Sequence, residues 1–158
     1  MKSDWALLAG LIKSSQEAAL ATLEAGASGA VWPYASATGY IVENEARLTV
    51  DIFLSRLARH TKNIIKNPSV SLLVMESKPE APIHEKMRAT LMGQAVPVQE
   101  KETFARLKQA YLKKFPRAEV FFTLPDFTFY RIEPVEIHWI AGFGKAGTLF
   151  FKEGKWQS

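Results

Sequence analysis

The first dozen residues place Trp5, Leu8, Leu11 and Ile12 at helical spacing, with Asp4 positioned to cap the start. Ser14-Ser15-Gln16 breaks that period, and Ala18 to Leu23 then reads as a short apolar strand. Gly26-Ala27-Ser28-Gly29 is a turn signal. From Tyr34 to Val42 the period changes to two. Ser36, Thr38 and Tyr40 fall on one side of a strand, and Ala35, Ala37, Gly39 and Ile41 on the other. Glu43-Asn44-Glu45 predicts a turn, with Arg47 to Leu54 returning as the second half of a hairpin.

Helical spacing returns over Ser55 to Asn67, with Ser55 as the expected N-cap and Pro68 just beyond the end. Leu57, Thr61, Ile64 and Ile65 are predicted to share one face of this helix, and Arg56, Arg59, His60 and Asn63 another. Val70 to Met75 reads as a strand, and the segment from Glu76 to Lys86, with Pro79 and Pro82, as an irregular connection. Arg88 to Val98 is a strand in which Gly93 suggests a bulge. Glu100 to Phe115 is an amphipathic helix that turns Phe104, Leu107 and Tyr111 toward a core, and Ala118 to Thr123 a short helix. Phe127 to Ile132 and Val135 to Ile140 read as two aromatic-rich strands separated at Pro134. A turn over Gly142 to Gly147 leads to a closing strand, Thr148 to Lys152.

Six or seven strands with helices inserted between them, and no regular βα alternation, argue against a doubly wound parallel sheet. The expected class is mainly β with helices (α+β), as an antiparallel barrel or curved sheet. The 158 residues suit a single domain spanning 1–158. The absence of cysteine removes disulfides and thiolate chemistry. No run approaches the ~18 apolar residues of a membrane span, and the N-terminus does not read as a secretory signal. A cytoplasmic protein that does not engage a membrane is expected.

Charge narrows the chemistry further. The net charge of +4 is not spread over the chain: residues 55–66 carry four bases and no acid, and residues 100–117 six bases and two acids. A nucleic-acid footprint would be broader and richer in arginine beside exposed aromatics, so no nucleic-acid partner is expected. His60, His84 and His138 are scattered and show no metal-ligand spacing. Neither paired carboxylates nor a Ser/His/Asp set is marked, so no catalytic residue is assigned. Gly142-Phe143-Gly144 lacks the third glycine and the following helix of a dinucleotide fingerprint. The segment that stands out is Ser55 to Asn63. There a strand gives way to a helix start bearing the Arg59 fork and the Thr61 hydroxyl, a combination suited to an anion or to a solvated basic face.

Three runs carry a resemblance: Pro33-Tyr34-Ala35-Ser36; Leu54-Ser55-Arg56-Leu57-Ala58-Arg59-His60-Thr61-Lys62-Asn63; and Asn67-Pro68-Ser69-Val70-Ser71-Leu72-Leu73. Weaker support comes from Arg88-Ala89-Thr90-Leu91-Met92-Gly93 and Tyr130-Arg131-Ile132-Glu133-Pro134. Together they resemble the FMN-binding split-barrel family related to pyridoxamine 5′-phosphate oxidase, in the branch that includes haem-utilisation proteins. The resemblance implies a six-stranded antiparallel split barrel that forms a homodimer, with FMN at the subunit interface. It implies that Ser55, Arg59, His60, Thr61 and Asn63 hold the FMN phosphate, that Tyr34 and Ser36 run along the flavin, and that Arg88 makes a polar flavin contact. The function expected on this basis is an FMN-dependent oxidoreductase of unassigned substrate. The alternatives are a haem-binding or haem-degrading protein of the same fold and a non-catalytic flavin module. Gly142 to Ala146 replaces the Arg/His-rich segment of the vitamin B6 oxidases, and no histidine follows His138, where haem-degrading relatives use one near the end of the barrel.

Overall fold

The computed structural model describes residues 2–158, and side chains from Asp4 onward. In chain order the elements are α1 (Lys2–Ser14), β1 (Glu17–Ala25), β2 (Val31–Val42), β3 (Val50–Ser55), α2 (Arg59–Lys66), β4 (Ser69–Met75), β5 (Met87–Pro97), α3 (Lys101–Lys114), β6 (Phe127–Ala141), β7 (Ala146–Lys152) and β8 (Lys155–Gln157). The strands pair in the order β3-β2-β1-β4-β5-β6-β7-β8, and β3 also pairs with β6. That extra pairing closes six antiparallel strands into the expected barrel. The strand expected to close the sheet, now β7, instead pairs on the far side of β6 and carries β8, which the sequence pattern did not reveal.

Antiparallel register decides what faces inward. Ala18, Leu20 and Thr22 of β1 stand opposite Thr38, Ser36 and Tyr34 of β2, and the inward row continues into a core that includes Leu20, Tyr40, Ile52, Leu72, Leu91, Ile132 and Ile137. Both ends are plugged by helices. α1 inserts Leu8 and Ile12, and its Ile12 carbonyl accepts a hydrogen bond from the Tyr40 hydroxyl (2.6 Å). α2 inserts Ile64 beside Val70, at the end of the barrel where Thr22 lies. Asp4 falls in the first turn of α1 rather than at its cap. There its carboxylate meets Lys145 at 2.5 Å, and that hydrogen bond holds its pKa below the usual range.

A second cluster lies on the outside of the barrel. Ile41, Phe53 and Phe129 project outward from β2, β3 and β6 and are covered by Leu107 and Tyr111 of α3. The expected core-facing positions of this helix are therefore correct, with Phe104 partly buried at its edge. The core they serve is the outer one. Phe53 stacks on Phe122 at 4.1 Å between ring centroids.

Two local expectations fail for identifiable reasons. Pro134 does not divide two strands: β6 is continuous through it because Pro134 sits opposite Gly93, where the β5–β6 register shifts. A bulge removes the ladder hydrogen bond that proline cannot donate. The bulge also demands glycine, since a Cβ at Gly93 would stand 2.8 Å from the Glu133 carbonyl oxygen. Ser55 is not a helix cap either. It ends β3, and α2 begins four residues later after a turn, with Ala58 at the cap position. Thr61, Asn63 and Ile64 form the buried side of α2, whereas Leu57 and Ile65 are 72% and 64% exposed, so the predicted apolar face is only half right.

Candidate functional site

The residues nominated from the sequence separate into one cluster and two outliers. At the α2 end of the barrel, Tyr34, Ser36, Arg59, His60 and Asn63 come together with Thr22 and Glu24 of β1, two residues the sequence reading missed. The Ser36 hydroxyl lies 3.1 Å from His60 Nδ1. Asn63 Nδ2 donates to the Thr22 hydroxyl at 3.0 Å. Arg59 donates through Nε and Nη2 to the two carboxylate oxygens of Glu24, at 2.7 and 2.6 Å, and its guanidinium lies 4.9 Å from the centre of the Tyr34 ring. Thr61 is fully buried beneath them, and its hydroxyl has no hydrogen-bond partner among the described residues. Ser55 stands apart with its hydroxyl on the Asp126 carboxylate. Arg88 lies opposite Met75, at the end of β4 remote from α2. Its guanidinium is held by the carbonyls of Ile83 (2.8 Å) and Lys86 (3.2 Å), where it pins the 76–86 connection.

Electrostatically the Arg59–Glu24 pair of this cluster is already satisfied. Hydrogen bonding from Arg59 keeps Glu24 below the ordinary carboxylate range, and Glu24 in turn raises Arg59. Burial lowers the pKa of His60, favouring neutral imidazole. A neutral histidine and an arginine fork already gripping a carboxylate are a poor cradle for a phosphate dianion. The residues present therefore do not fit the FMN phosphate.

A large open cavity begins beside this cluster, sharing Thr22 with it, and runs over the outer face of β1, β4, β5 and β6. It measures about 1020 Å³, and none of the nominated residues lines it. Its walls include Ala21, Leu23, Ser71, Met92, Val96 and Val135. Register explains why the middle of this face carries small and apolar residues. Ala37, Ala19, Leu73, Thr90 and His138 form one outward row, and Ala35, Ala21, Ser71, Met92 and Glu136 the next. A strand with one wet face ordinarily alternates apolar and polar residues. In β1, β2 and β4 the outward positions are small or apolar as well, and that is the signal in the sequence that could have revealed this surface.

Charge gathers at the margin of the cavity. Arg131 bridges the fully buried Asp51 (Nε to Oδ1, 2.9 Å) and Glu43. Burial raises the Asp51 pKa against that attraction, while the hydrogen bond from Arg106 lowers Glu43. Arg47 donates to the Pro134 carbonyl and lies 3.4 Å from the centre of the Phe151 ring. His138 is exposed, with Nδ1 3.0 Å from the Thr148 hydroxyl, which leaves Nε2 without a partner among the described residues. No group of three or more His, Cys, Asp or Glu suited to a metal ion occurs among the described residues. None of their helices is long and apolar enough to cross a membrane.

Residues 6–156 match the family described as CREG, beta-barrel. The chain belongs to this family. It is 36% identical over 107 residues to the non-canonical heme oxygenase HOZ, a chloroplastic protein of Arabidopsis thaliana, covering 66% of this chain and 32% of the relative. The chain thus spans about a third of the length of that curated relative. Among solved structures, HutZ, the heme storage protein from Vibrio cholerae, superposes with a TM-score of 0.69 at 22% identity, covering 92% of each chain. A putative pyridoxamine 5′-phosphate oxidase from Listeria innocua superposes with a TM-score of 0.67 at 16% identity, covering 87% of this chain and 98% of that one. The split-barrel resemblance read from the sequence therefore holds. The expected cofactor does not: a heme oxygenase and a heme storage protein stand among the relatives, which points to haem rather than FMN. The engaged state of Arg59 gives that correction a physical reason.

Proposed function

We propose that this CREG-family protein binds haem on the outer face of β1, β4 and β5, as a haem-binding or haem-degrading protein. The observation that carries the reading is the cavity of about 1020 Å³ on that face, apolar along β1, β4 and β5, with Arg47, Glu100, Arg131 and Glu133 at its margin. Ligand pockets commonly fall in the range of ~300–1,000 Å³ and are largely apolar with a few placed polar groups, and a porphyrin is a flat apolar plate bearing two carboxylates. Met92 lines the cavity, and His138 projects from the same face two residues along β6 from Glu136, the partner of Met92. Methionine and histidine both serve as axial ligands to haem iron. Arg47 and Arg131 stand at the margin, Arg47 on the Pro134 carbonyl and 3.9 Å from Glu133 and Arg131 on Asp51 and Glu43, so a propionate there would share one of them. When bound, haem supplies the iron and its redox chemistry. The chain supplies the apolar walls, a candidate ligand from the outward rows and a marginal cation. A second copy of the chain would cover the open side, with Leu73 and Met75, 39% and 40% exposed, among the residues it would bury.

A Soret titration tests the reading. The wild-type protein is expected to show a saturable Soret shift, and His138→Ala or Met92→Leu to change the spectrum of the complex according to which residue is the ligand. A wild-type protein with no saturable change overturns it. Incubation of the complex with a reductant and oxygen separates storage from degradation, since only degradation bleaches the Soret band.

A further inference from the structure

We infer that Glu24 is a built-in anion that occupies the Arg59 fork and closes the α2 end of the barrel to phosphate-bearing ligands. Glu24 is carried there by a strand, not a loop. It lies two residues beyond Thr22 on the inward row of β1, opposite Trp32. Its side chain is about three-quarters buried, and both of its oxygens are engaged by one guanidinium. The geometry is the bidentate arrangement by which arginine recognises a carboxylate or a phosphate. Here the carboxylate is internal.

Two other polar side chains of the segment are engaged in the same way. Asn63 holds Thr22, and His60 meets Ser36. The Tyr34 ring beside the guanidinium restricts where the fork can turn. A phosphate entering this end would have to displace Glu24 from Arg59. The freed carboxylate would then lie beside the phosphate, like charge against like charge, at a fork whose Arg59 side chain is 64% exposed. Hydrogen bonding from Arg59 holds the Glu24 pKa below its ordinary value while the pair is intact. The chain therefore keeps the Ser55–Asn63 sequence pattern while its Arg59 fork is already taken by an internal carboxylate. This inference does not depend on where haem binds.

The test compares FMN with riboflavin, which differ only in the phosphate, by fluorescence quenching. The wild-type protein should bind the two equally, or neither. Glu24→Gln should bind FMN about tenfold or more tightly than riboflavin, and the double variant Glu24→Gln/Arg59→Ala should lose that preference. Circular dichroism confirms folding, and Glu24→Ala stands in if the Gln variant does not fold. A tenfold preference for FMN in the wild type overturns the inference by itself. A folded Glu24 variant with no preference for FMN also overturns it.

Discussion

The same six strands present two outer faces, built in opposite ways. On the side formed by β2, β3 and β6, Ile41, Phe53 and Phe129 meet α3 in an aromatic cluster. Phe53 lies within 4.1–6.5 Å, centroid to centroid, of the rings of Phe104, Tyr111, Phe122, Phe127 and Phe129. On the side formed by β1, β4 and β5, the outward residues are Ala19, Ala21, Leu23, Ser71, Leu73 and Met92, and no element among the described residues covers them fully. Burial of large rings makes the first face a stabilising surface. Small side chains and exposed aliphatics make the second a surface that adds little to monomer stability and leaves room for something flat. Covered and bare faces thus divide two tasks, one holding the barrel together and the other presenting a site.

The largest effect that could break this comparison is on stability. Phe129→Ala on the covered face is expected to cost about 3–5 kcal/mol in urea denaturation, because a fully buried ring leaves a cavity. A cost near zero would show that the α3 cluster is dispensable. Gly93→Ala, on the wall of the bare face, should cost about 1–3 kcal/mol, since the new Cβ meets a carbonyl oxygen at 2.8 Å rather than a movable side chain. The same variant should also weaken haem binding by shifting the bulge, and undiminished binding would place the haem away from that wall.

Met92→Glu puts a carboxylate into the cavity. It should reduce haem affinity about tenfold while leaving the denaturation midpoint nearly unchanged, and equal losses of both would merge the two faces into one. The contrast sharpens further with pH. Burial holds the His60 pKa below its ordinary 6.5. The stability this group contributes is present above 6.5 and is lost as pH falls through its lowered folded value, because there the unfolded chain takes up the proton more readily. His60→Gln should flatten that acid loss of stability. The gap between Phe129→Ala and a bare-face variant should stay the same at every pH, and a gap that narrowed in acid would tie α2 to one of the faces. The smallest effect is expected for Leu73→Ser, within about 0.5 kcal/mol of wild type in the monomer. A larger loss that depends on protein concentration would show that a second copy already covers this face.

Much of the architecture was legible in local pattern. Period-two alternation located β2, short apolar runs located β1 and β4, helical spacing located α3 with its Phe104, Leu107 and Tyr111 stripe, and Gly93 marked the bulge in β5. Where the reading failed, a distant partner had decided the outcome. Pro134 interrupts nothing because Gly93, on another strand, accommodates it. Ser55 looked like a cap, yet its hydroxyl lies on Asp126, 71 positions away. Ile65 completed an apolar stripe on paper, but the barrel receives Ile64 and Thr61 and leaves Ile65 in solvent. Of the site, the sequence picked out a helix start rich in donors and could not show that they were already engaged.

By itself, then, the sequence determined the fold class, most of the strand positions and the redox limit set by having no cysteine, since any redox function must come from a bound group. Those properties follow from alternation, spacing and composition, which act between near neighbours. The tertiary structure decided that Arg59 grips Glu24 from 35 positions away, and that one outer face is covered while the other is open. Both depend on closure of the barrel, which brings together charges and surfaces whose separation along the chain carries no local signal.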